Sequence, residues 1–573
     1  MYWKFGVVFL IAVLIFSGGK TLAERNVRQA LASSSKPLVC IQDGCIRGTQ
    51  RSGLDNGPYE AFMGVPFAKP PLGPLRFKNP VPFGRFNGIY DAGLPKGVCV
   101  QKTDLLPQAV LMGSEDCLYL NVYRPKTRGQ LLPVLVYIHG GGYLGGTAHP
   151  GVLGPEKFMD TEKIILVTFQ YRLGVFGFLS TGDQVAPGNF GLKDQLLALK
   201  WVKKNIDKFG GDPKQITIAG NSAGASSVQM MMMNPAATGL FSRAIMMSAS
   251  ALAYWNAPID DPLGLARAQA NAVEIPSAAT LSSSDLVSAL RDIDAYKLAG
   301  SIDKLKFWDR HPLALYHPVI ETYIDSETFF SEDWRVKWAS GRYIQVPLMI
   351  SYVPNEGSTI GLRAVTNDTL FEELVQNAQV FIPKFAGADP SKLPKLKERF
   401  FGGVLNPAYI THENAFRFVD MITEAAFMYP LIKTIKQHQL KGSHLLAPIT
   451  VSFFNYRGKY SYGNVYSGIA AADYGVCHQD ELIYLFRSPF FFPDYQRNSP
   501  DWQMGQKLMA FYLDFIYNGK ITQSSEPVTP CTILKCPITE FKNSSDPNIP
   551  VTSSVRYGLD ENLYKFWNEV YQA

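Results

Sequence analysis

The sequence has little of what marks a nucleic-acid-binding protein or a repeat protein. Its 55 basic and 49 acidic residues leave a formal net charge of only +6, and they form no dense Lys/Arg block. No internal repeat of solenoid length is present. We therefore expect neither a nucleic-acid partner nor a solenoid. Apolar residues make up 46% and charged residues 18% of the 573 residues, which is typical of a globular protein with a large core.

Long apolar runs are also missing, except for one short run at the N-terminus. Lys4 precedes an apolar run over residues 5–16, and small residues follow up to Ala23. Spanning a membrane takes about 20 apolar residues, so the run favours a secretory signal peptide over 1–23 against the alternative, a membrane anchor. The C-terminus resembles neither a GPI tail nor a retention tag. We expect a secreted, extracellular protein with no membrane contact after cleavage, whose residues 24–573 form one domain.

Cysteines are few, and their number and spacing fit an oxidising compartment. Three sequence-local couples are possible, with Cys477 left over: Cys40/Cys45, Cys99/Cys117 and Cys531/Cys536. Because six cysteines can pair in many ways, this pairing is a hypothesis. Two Asn-x-Ser/Thr tripeptides, at Asn367 and Asn543, are compatible with glycosylation on the secretory route.

Apolar, β-rich segments alternate with amphipathic segments along the chain. This alternation predicts an α/β fold in which helices flank a large, mostly parallel sheet. The predicted strands are apolar runs suited to burial on both faces: 134–138, 164–169, 216–219, 244–247, 347–352 and 449–454. Apolar residues at helical spacing predict a helix over 192–209 that ends at a Gly-Gly-Asp-Pro segment. The segment 260–300 is predicted to be helical, and 301–332 irregular.

One short motif, Gly-Asn-Ser-Ala-Gly at 220–224, lies between a predicted strand and a predicted helix. Gly-x-Ser-x-Gly in this context is typical of a nucleophile elbow, a strained turn that exposes a serine hydroxyl to a base and to the substrate. The glycines are needed because a side chain there would collide with neighbouring backbone. We predict that Ser222 is the nucleophile.

A second glycine-rich segment, His139 to Gly142, follows the predicted strand 134–138. Acyl transfer develops negative charge on a carbonyl oxygen, which preorganised backbone N–H groups stabilise. We predict that Gly141, Gly142 and Ala223 supply these donors. The alternative, a phosphate-binding loop, lacks its Gly-Lys-Ser/Thr ending. We expect His139 to hold the loop rather than to act as the base.

Eight histidines compete for the role of general base. His478 is the predicted base because it lies in a loop after the strand 449–454, with Gly475 nearby and an apolar run after it. In triads on α/β folds the acid lies between the serine and the histidine in the chain. Glu356 directly follows the strand 347–352, a position that Asp325 and Glu424 lack. Glu356 would accept the histidine N–H and fix its tautomer.

Together these residues resemble the carboxylesterase type B (cholinesterase-like) family over essentially the whole chain after residue 23. The most specific segments are SEDCLYLNV (114–122), YRLGVFGFLS (171–180), GNFGLKDQ (188–195) and FGGDP (209–213). The resemblance implies an α/β-hydrolase fold and a serine esterase with Ser222, Glu356 and His478 as its triad. Such an enzyme forms an acyl-enzyme and needs no cofactor and no metal.

The resemblance also implies supporting roles. It implies a Cys99–Cys117 disulfide and places Ser248 near the triad acid. Asp480 and Glu481, which follow the histidine, are expected to be structural. Trp255 and parts of 306–316 are predicted either to line the acyl pocket or to be ordinary core aromatics.

The chain departs from the family pattern at several positions. Asn221 replaces the usual glutamate before the nucleophile, and Gln479 replaces the common glycine after the histidine. No tryptophan for stacking choline lies between Cys99 and Cys117, and 271–293 has no cysteine for a second family disulfide. We therefore expect a small, neutral carboxylic ester as substrate rather than a choline ester.

Two alternatives within the family remain. Insect juvenile hormone esterases carry Gly-x-x-His-x-x-Asp/Glu around the histidine, a pattern that Gly475, His478 and Glu481 match, although Asn221 replaces their usual Gln before the serine. The other alternative is an adhesion or ligand-binding member of the same fold without catalysis. The retention of all three triad residues favours a secreted insect-type carboxylesterase.

Overall fold

The computed structural model describes most of the chain after residue 35. The described ranges are 36–103, 109–126, 129–309, 314–402, 410–411, 413–440, 447–523, 529–532, 535–546 and 548–572. The predicted signal peptide lies outside them. Among the described residues, no helix has the length and apolarity needed to cross a membrane.

The strands of the described ranges form one large mixed sheet and two small sheets. Their bounds are β1 Leu38–Ile41, β2 Gly44–Arg47, β3 Thr49–Ser52, β4 Pro58–Pro66, β5 Ile89–Asp91, β6 Gln101–Thr103, β7 Val110–Met112, β8 Tyr119–Pro125, β9 Leu132–Ile138, β10 Ile165–Phe169, β11 Gly211–Asn221, β12 Arg243–Met247, β13 Leu348–Tyr352, β14 Ile449–Asn455, β15 Pro537–Asn543 and β16 Val551–Tyr557. The large sheet has the order β16-β15-β14-β13-β12-β11-β9-β10-β8-β4-β3. The seven strands β9 to β15 are mutually parallel. The strands on either side of them pair antiparallel, β16 at one end and β8, β4 and β3 at the other.

Helices connect the parallel strands and cover the sheet. The α-helices are α1 Glu156–Met159, α2 Gly174–Phe178, α3 Phe190–Asn205, α4 Ala223–Met233, α5 Pro262–Ala272, α6 Ser283–Arg291, α7 Ala295–Gly300, α8 Trp334–Ala339, α9 Ser358–Thr366, α10 Asp368–Gln376, α11 Ala378–Ala386, α12 Leu393–Phe401, α13 Phe416–Ile422, α14 Tyr429–Leu440, α15 Tyr462–Ser467, α16 Leu482–Leu485, α17 Pro500–Asn518 and α18 Glu561–Tyr571. A π-helix, Thr423–Met428, joins α13 to α14. Short 3-10 helices are Gly73–Leu75, Ile206–Phe209, Pro235–Ala237, Tyr254–Asn256, Ser301–Lys304 and Pro390–Lys392.

The predicted α/β architecture is confirmed. All six predicted strands occur, as β9 to β14, and their residues are largely buried, as continuous apolar runs in a parallel sheet require. The predicted helix is α3 followed by a 3-10 turn. The segment 260–300 holds α5, α6 and α7, and the described part of 301–332 is irregular after Lys304.

The cysteines pair as the local couples predict. Disulfides join Cys40 to Cys45, Cys99 to Cys117 and Cys531 to Cys536. Cys477 is free and buried.

The parallel register brings three loops to one edge of the sheet. Ser222 follows β11, Glu356 follows β13 and His478 lies in the segment after β14. These strands are close neighbours in the sheet. An isolated bridge between Asn355 and Cys477 ties the last two loops directly together.

Candidate active site

Ser222 lies on a strained turn between β11 and α4. Its backbone has φ 58° and ψ −127°, a combination that non-glycine residues rarely adopt. The turn is held by the Ser222 N–H, which donates to the Met247 carbonyl at 2.8 Å. A Cβ on Gly224 would lie 2.1 Å from the Ile138 oxygen, which explains the second glycine of the motif. The lack of a side chain at Gly224 therefore lets the turn pack tightly against β9.

His478 and Glu356 are in direct contact. His478 Nδ1 lies 2.5 Å from Glu356 Oε2, and both side chains are buried. Glu356 Oε1 accepts from the Val353 N–H at 2.9 Å, so both carboxylate oxygens have a defined partner. The backbone N–H of His478 donates to Ser358 Oγ at 3.1 Å, which anchors the histidine loop on α9. The Glu356 carboxylate therefore holds the His478 imidazole in place, and the Val353 N–H holds the carboxylate.

The alternative acids lie in other surroundings. Glu424 forms an ion pair with Arg399 at 2.9 Å and accepts from Trp567 Nε1 at 2.8 Å. Asp325 is exposed and accepts from neighbouring backbone. Neither carboxylate contacts a histidine in the described part of the structure.

The glycine-rich loop lies against the elbow. A Cβ on Gly140 would come within 2.9 Å of Ser222 Cβ. Within the described residues, nothing accepts from the N–H groups of Gly141 and Gly142. Ala223 begins α4, and a first-turn N–H has no acceptor inside its own helix. The three predicted donor N–H groups are therefore unengaged within the described residues.

His139 packs inside this loop. Its ring stacks on Tyr171 with centroids 4.4 Å apart, and Nδ1 lies 2.9 Å from the Gly140 oxygen. Burial lowers the pKa of His139 to about 4, so its imidazole is neutral. These contacts support a structural role for this histidine.

Asn221 and Ser248 converge on a buried carboxyl group, Glu481. Asn221 Nδ2 donates to Glu481 Oε1 at 3.1 Å, and Ser248 Oγ donates to the same oxygen at 3.4 Å. Burial, together with the nearby charge of Glu356, raises the pKa of Glu481 to about 8. Glu481 is therefore protonated at neutral pH, and Glu356 is the acid that contacts the histidine.

One aromatic ring packs against the His478 ring, and a second packs against the first. The Phe427 ring lies 5.1 Å from the His478 ring, and Trp255 lies 6.3 Å from Phe427. Trp255 Nε1 donates to the Ala426 oxygen at 3.0 Å, which ties it to the π-helix. Trp255 also approaches Tyr143 of the glycine-rich loop, at 6.4 Å. Trp255 is thus both a buried aromatic and a neighbour of the site.

An apolar cavity of about 460 Å³ adjoins the site. Gly140 of the glycine-rich loop and Gln479, the residue after His478, form part of its wall, and Tyr466, Leu482 and Phe491 also line it. A larger polar groove of about 710 Å³ lies elsewhere, and no predicted site residue lines it. Ser222, Glu356 and His478 line neither cavity, but their neighbours Gly140 and Gln479 line the apolar one.

Sequence reasoning did not identify Phe427, Tyr466 or Val353 as parts of this site. Phe427 comes from a π-helix, and Tyr466 Oη donates towards Gln479 Oε1 at 2.8 Å. No local motif marks them. The predicted glycosylation sites Asn367 and Asn543 are both exposed.

Comparison with solved structures defines the class. The chain superposes on juvenile hormone esterase from Manduca sexta, solved with OTFP covalently attached, with a TM-score of 0.80 and 26% identity. The match covers 94% of this chain and 100% of that one. The fold is the α/β-hydrolase fold.

Sequence comparisons then give the family. The model of the carboxylesterase family matches residues 35–567. Juvenile hormone esterase of Tribolium castaneum is 39% identical over 85% of this chain and 84% of its own. Venom carboxylesterase-6 of Apis mellifera is 31% identical over 84% and 86%. The chain belongs to the carboxylesterase family and is a carboxylic ester hydrolase.

Proposed function

We propose that the protein is a secreted serine esterase that cleaves neutral carboxylic esters through Ser222, Glu356 and His478. The observation that carries this proposal is the buried 2.5 Å contact between His478 Nδ1 and Glu356 Oε2, in loops beside the Ser222 elbow. A serine needs a base to become nucleophilic, and the base needs a fixed tautomer. This pair supplies both.

The reaction follows the usual two halves of acyl transfer. With its Nδ1 proton held by Glu356, His478 accepts the Ser222 hydroxyl proton at Nε2 while Oγ attacks the ester carbonyl. The N–H groups of Gly141, Gly142 and Ala223 stabilise the resulting oxyanion. The C–O bond to the alcohol breaks, and His478 returns the proton to the leaving alcohol. Water then attacks the acyl-enzyme by the same route and regenerates Ser222.

The surroundings of the site favour neutral, apolar esters. Asn221 places an uncharged amide where a glutamate would add negative charge beside Ser222. The raised pKa of Glu481 removes another negative charge at neutral pH. The adjoining cavity is mostly apolar. A cationic alcohol would find little electrostatic compensation there, whereas an aliphatic or aromatic group would lose water favourably.

The decisive experiment is a serine replacement. The wild type is expected to hydrolyse p-nitrophenyl butyrate, and Ser222→Ala is expected to be inactive while keeping its melting temperature. Ser391→Ala, at an exposed serine elsewhere, is the matched control and should retain full activity. Equal inactivity of wild type and Ser222→Ala would overturn the esterase proposal and favour the ligand-binding alternative.

A narrower candidate function is hydrolysis of juvenile hormone. It is favoured by the 39% identity to the Tribolium castaneum juvenile hormone esterase, and by the match of Gly475, His478 and Glu481 to the pattern of those esterases. The test compares kcat/KM for juvenile hormone with kcat/KM for p-nitrophenyl butyrate, with OTFP as an inhibitor. Turnover of the model ester without measurable hormone turnover would reject this candidate and leave the general esterase proposal intact.

Secretion is part of the proposal and has its own test. Cleavage of residues 1–23 would leave a mature chain of residues 24–573, which the family match over 35–567 accommodates. Protein collected from the medium of expressing cells should begin just after Ala23 by N-terminal sequencing. A cell-retained chain that still begins at Met1 would contradict the signal peptide.

A further inference from the structure

Asn221 joins the nucleophile elbow to the histidine loop through its side chain. It is fully buried and immediately precedes Ser222. Its Oδ1 accepts from Gln479 Nε2 at 3.1 Å, and its Nδ2 donates to Glu481 Oε1 at 3.1 Å. Gln479 and Glu481 are the first and third residues after His478. One amide therefore connects the residue before the nucleophile to the segment that carries the base.

Gln479 is held in an unfavourable backbone conformation. Its φ is +74°, a region that favours glycine and costs other residues of order 1–3 kcal/mol. Such a conformation persists only where the surroundings impose it. Here both ends of the Gln479 amide are engaged, because Oε1 accepts from Tyr466 Oη at 2.8 Å and Nε2 donates to Asn221. These two side-chain hydrogen bonds stabilise Gln479 in its strained backbone conformation.

The hydrogen bonds run in one direction. Tyr466 donates to Gln479, Gln479 donates to Asn221, and Asn221 donates to Glu481. The Asn221 amide thus accepts on one side and donates on the other. An aliphatic side chain could do neither. The identities of Asn221 and Gln479 thus fit each other.

We propose that Asn221 and Gln479 form a positioning pair, whose hydrogen bond sets the orientation of the His478 imidazole relative to Ser222. This inference rests on the proposed serine-esterase function. Gln479 also lines the apolar cavity whereas Asn221 does not, so Asn221→Ala reports on positioning without altering the cavity wall. The two side chains act as one unit, so losing either releases the same constraint.

The test measures kcat and KM for p-nitrophenyl butyrate, with each enzyme normalised by active-site titration. The variants are Gln479→Gly, Gln479→Met, Asn221→Ala and the double variant Asn221→Ala/Gln479→Gly. Gln479→Gly relieves the positive φ, and Gln479→Met keeps the volume without the hydrogen bonds. Asn498→Gly, at an exposed residue that also has a positive φ (61°), is the control for relief of strain alone.

Each single variant is expected to lower kcat about 10-fold, equivalent to about 1.4 kcal/mol, with KM changed less than about twofold. The double variant should also lose about 10-fold rather than about 100-fold, because coupled residues are not additive. Gln479→Gly should melt at the wild-type temperature or above it, and Asn498→Gly should keep full kcat. Loss of activity without loss of stability separates positioning from folding.

Three results would overturn the inference. Full kcat in Gln479→Gly, full kcat in Gln479→Met, or losses that multiply in the double variant would each show that the hydrogen bond does not position the base. If the wild type itself neither hydrolyses the ester nor titrates at Ser222, the proposed function fails first and the positioning pair falls with it. An active wild type with fully active variants refutes the pair alone.

Discussion

Replacing Glu356 with glutamine tests how the site holds the tautomer of His478. In the carboxylate, Oε1 accepts from the Val353 N–H at 2.9 Å and Oε2 faces His478 Nδ1 at 2.5 Å. Glutamine keeps the shape but has only one oxygen. Because the Val353 N–H can only donate, the amide oxygen belongs on that side, and the amide NH2 then faces Nδ1.

The consequence is a proton on the wrong nitrogen. An amide NH2 donates to Nδ1, so the neutral imidazole of His478 carries its proton on Nε2 and cannot accept one from Ser222. Turning the amide around would leave the buried Val353 N–H facing another donor, at a cost of about 1–3 kcal/mol. We expect kcat to fall about 10,000-fold, or about 5.4 kcal/mol, as in triads whose acid is replaced by its amide.

The assay is steady-state hydrolysis of p-nitrophenyl butyrate by Glu356→Gln, with thermal melting to show that the variant folds. Asp325→Asn, at an exposed carboxylate outside the site, is the matched control and should retain wild-type kcat. A folded Glu356→Gln variant with kcat within about 10-fold of the wild type would refute the role of Glu356 as the orienting acid.

Three further predictions concern the oxyanion donors, a buried acid and a disulfide. Gly141 has φ +113°, and a Cβ on it would lie 2.1 Å from the Gly145 oxygen. Gly141→Ala should therefore displace the Gly141 N–H and lower kcat about 100- to 1,000-fold with little change in KM. An unchanged kcat would exclude the Gly141 N–H as an oxyanion donor. The pKa of Glu481 is raised from 4.5 to about 8, so its contribution to the free energy of unfolding is full below pH 4.5 and is lost as pH rises through 8. The urea midpoint should therefore fall more steeply from pH 5 to 9 in the wild type than in Glu481→Gln. Parallel plots of midpoint against pH for the two proteins would contradict the raised pKa. Replacing Cys99 and Cys117 together by serine opens a loop with a separation of 18 residues and should lower the unfolding free energy by about 3 kcal/mol in denaturant melts, whereas an unchanged midpoint would show that this bond does not stabilise the fold.

The central sheet was predictable because its strands are buried on both faces. Continuous apolar runs mark such strands, and β9 to β14 all follow that rule. Strand β15, which is parallel to β14, and the antiparallel strand β16 beyond it were not picked out, since both mix polar and apolar residues. The edges of the sheet therefore depend on pairing with neighbours that no local pattern records.

The candidate site was predictable where motif and topology coincide. Ser222 has its own local motif, and the parallel order restricts where an acid and a base can follow. The contact of Phe427 with His478 and the bond between Gln479 and Asn221 had no such signal, because they join segments far apart in sequence. Gln479 replaces a common glycine, which by itself suggests a less favourable loop conformation. Its hydrogen bond to Asn221 explains the glutamine, and this bond is visible only in the structure.

The most direct test of the central claim is covalent labelling of Ser222. The wild-type protein is treated with an organophosphate, residual esterase activity is followed, and the adduct is located by peptide mass spectrometry. We predict one adduct per chain, on the peptide containing Ser222, with activity lost in proportion to labelling and no adduct in Ser222→Ala. Full activity in a protein labelled at Ser222, or inactivation by an adduct at a different residue, would contradict Ser222 as the nucleophile.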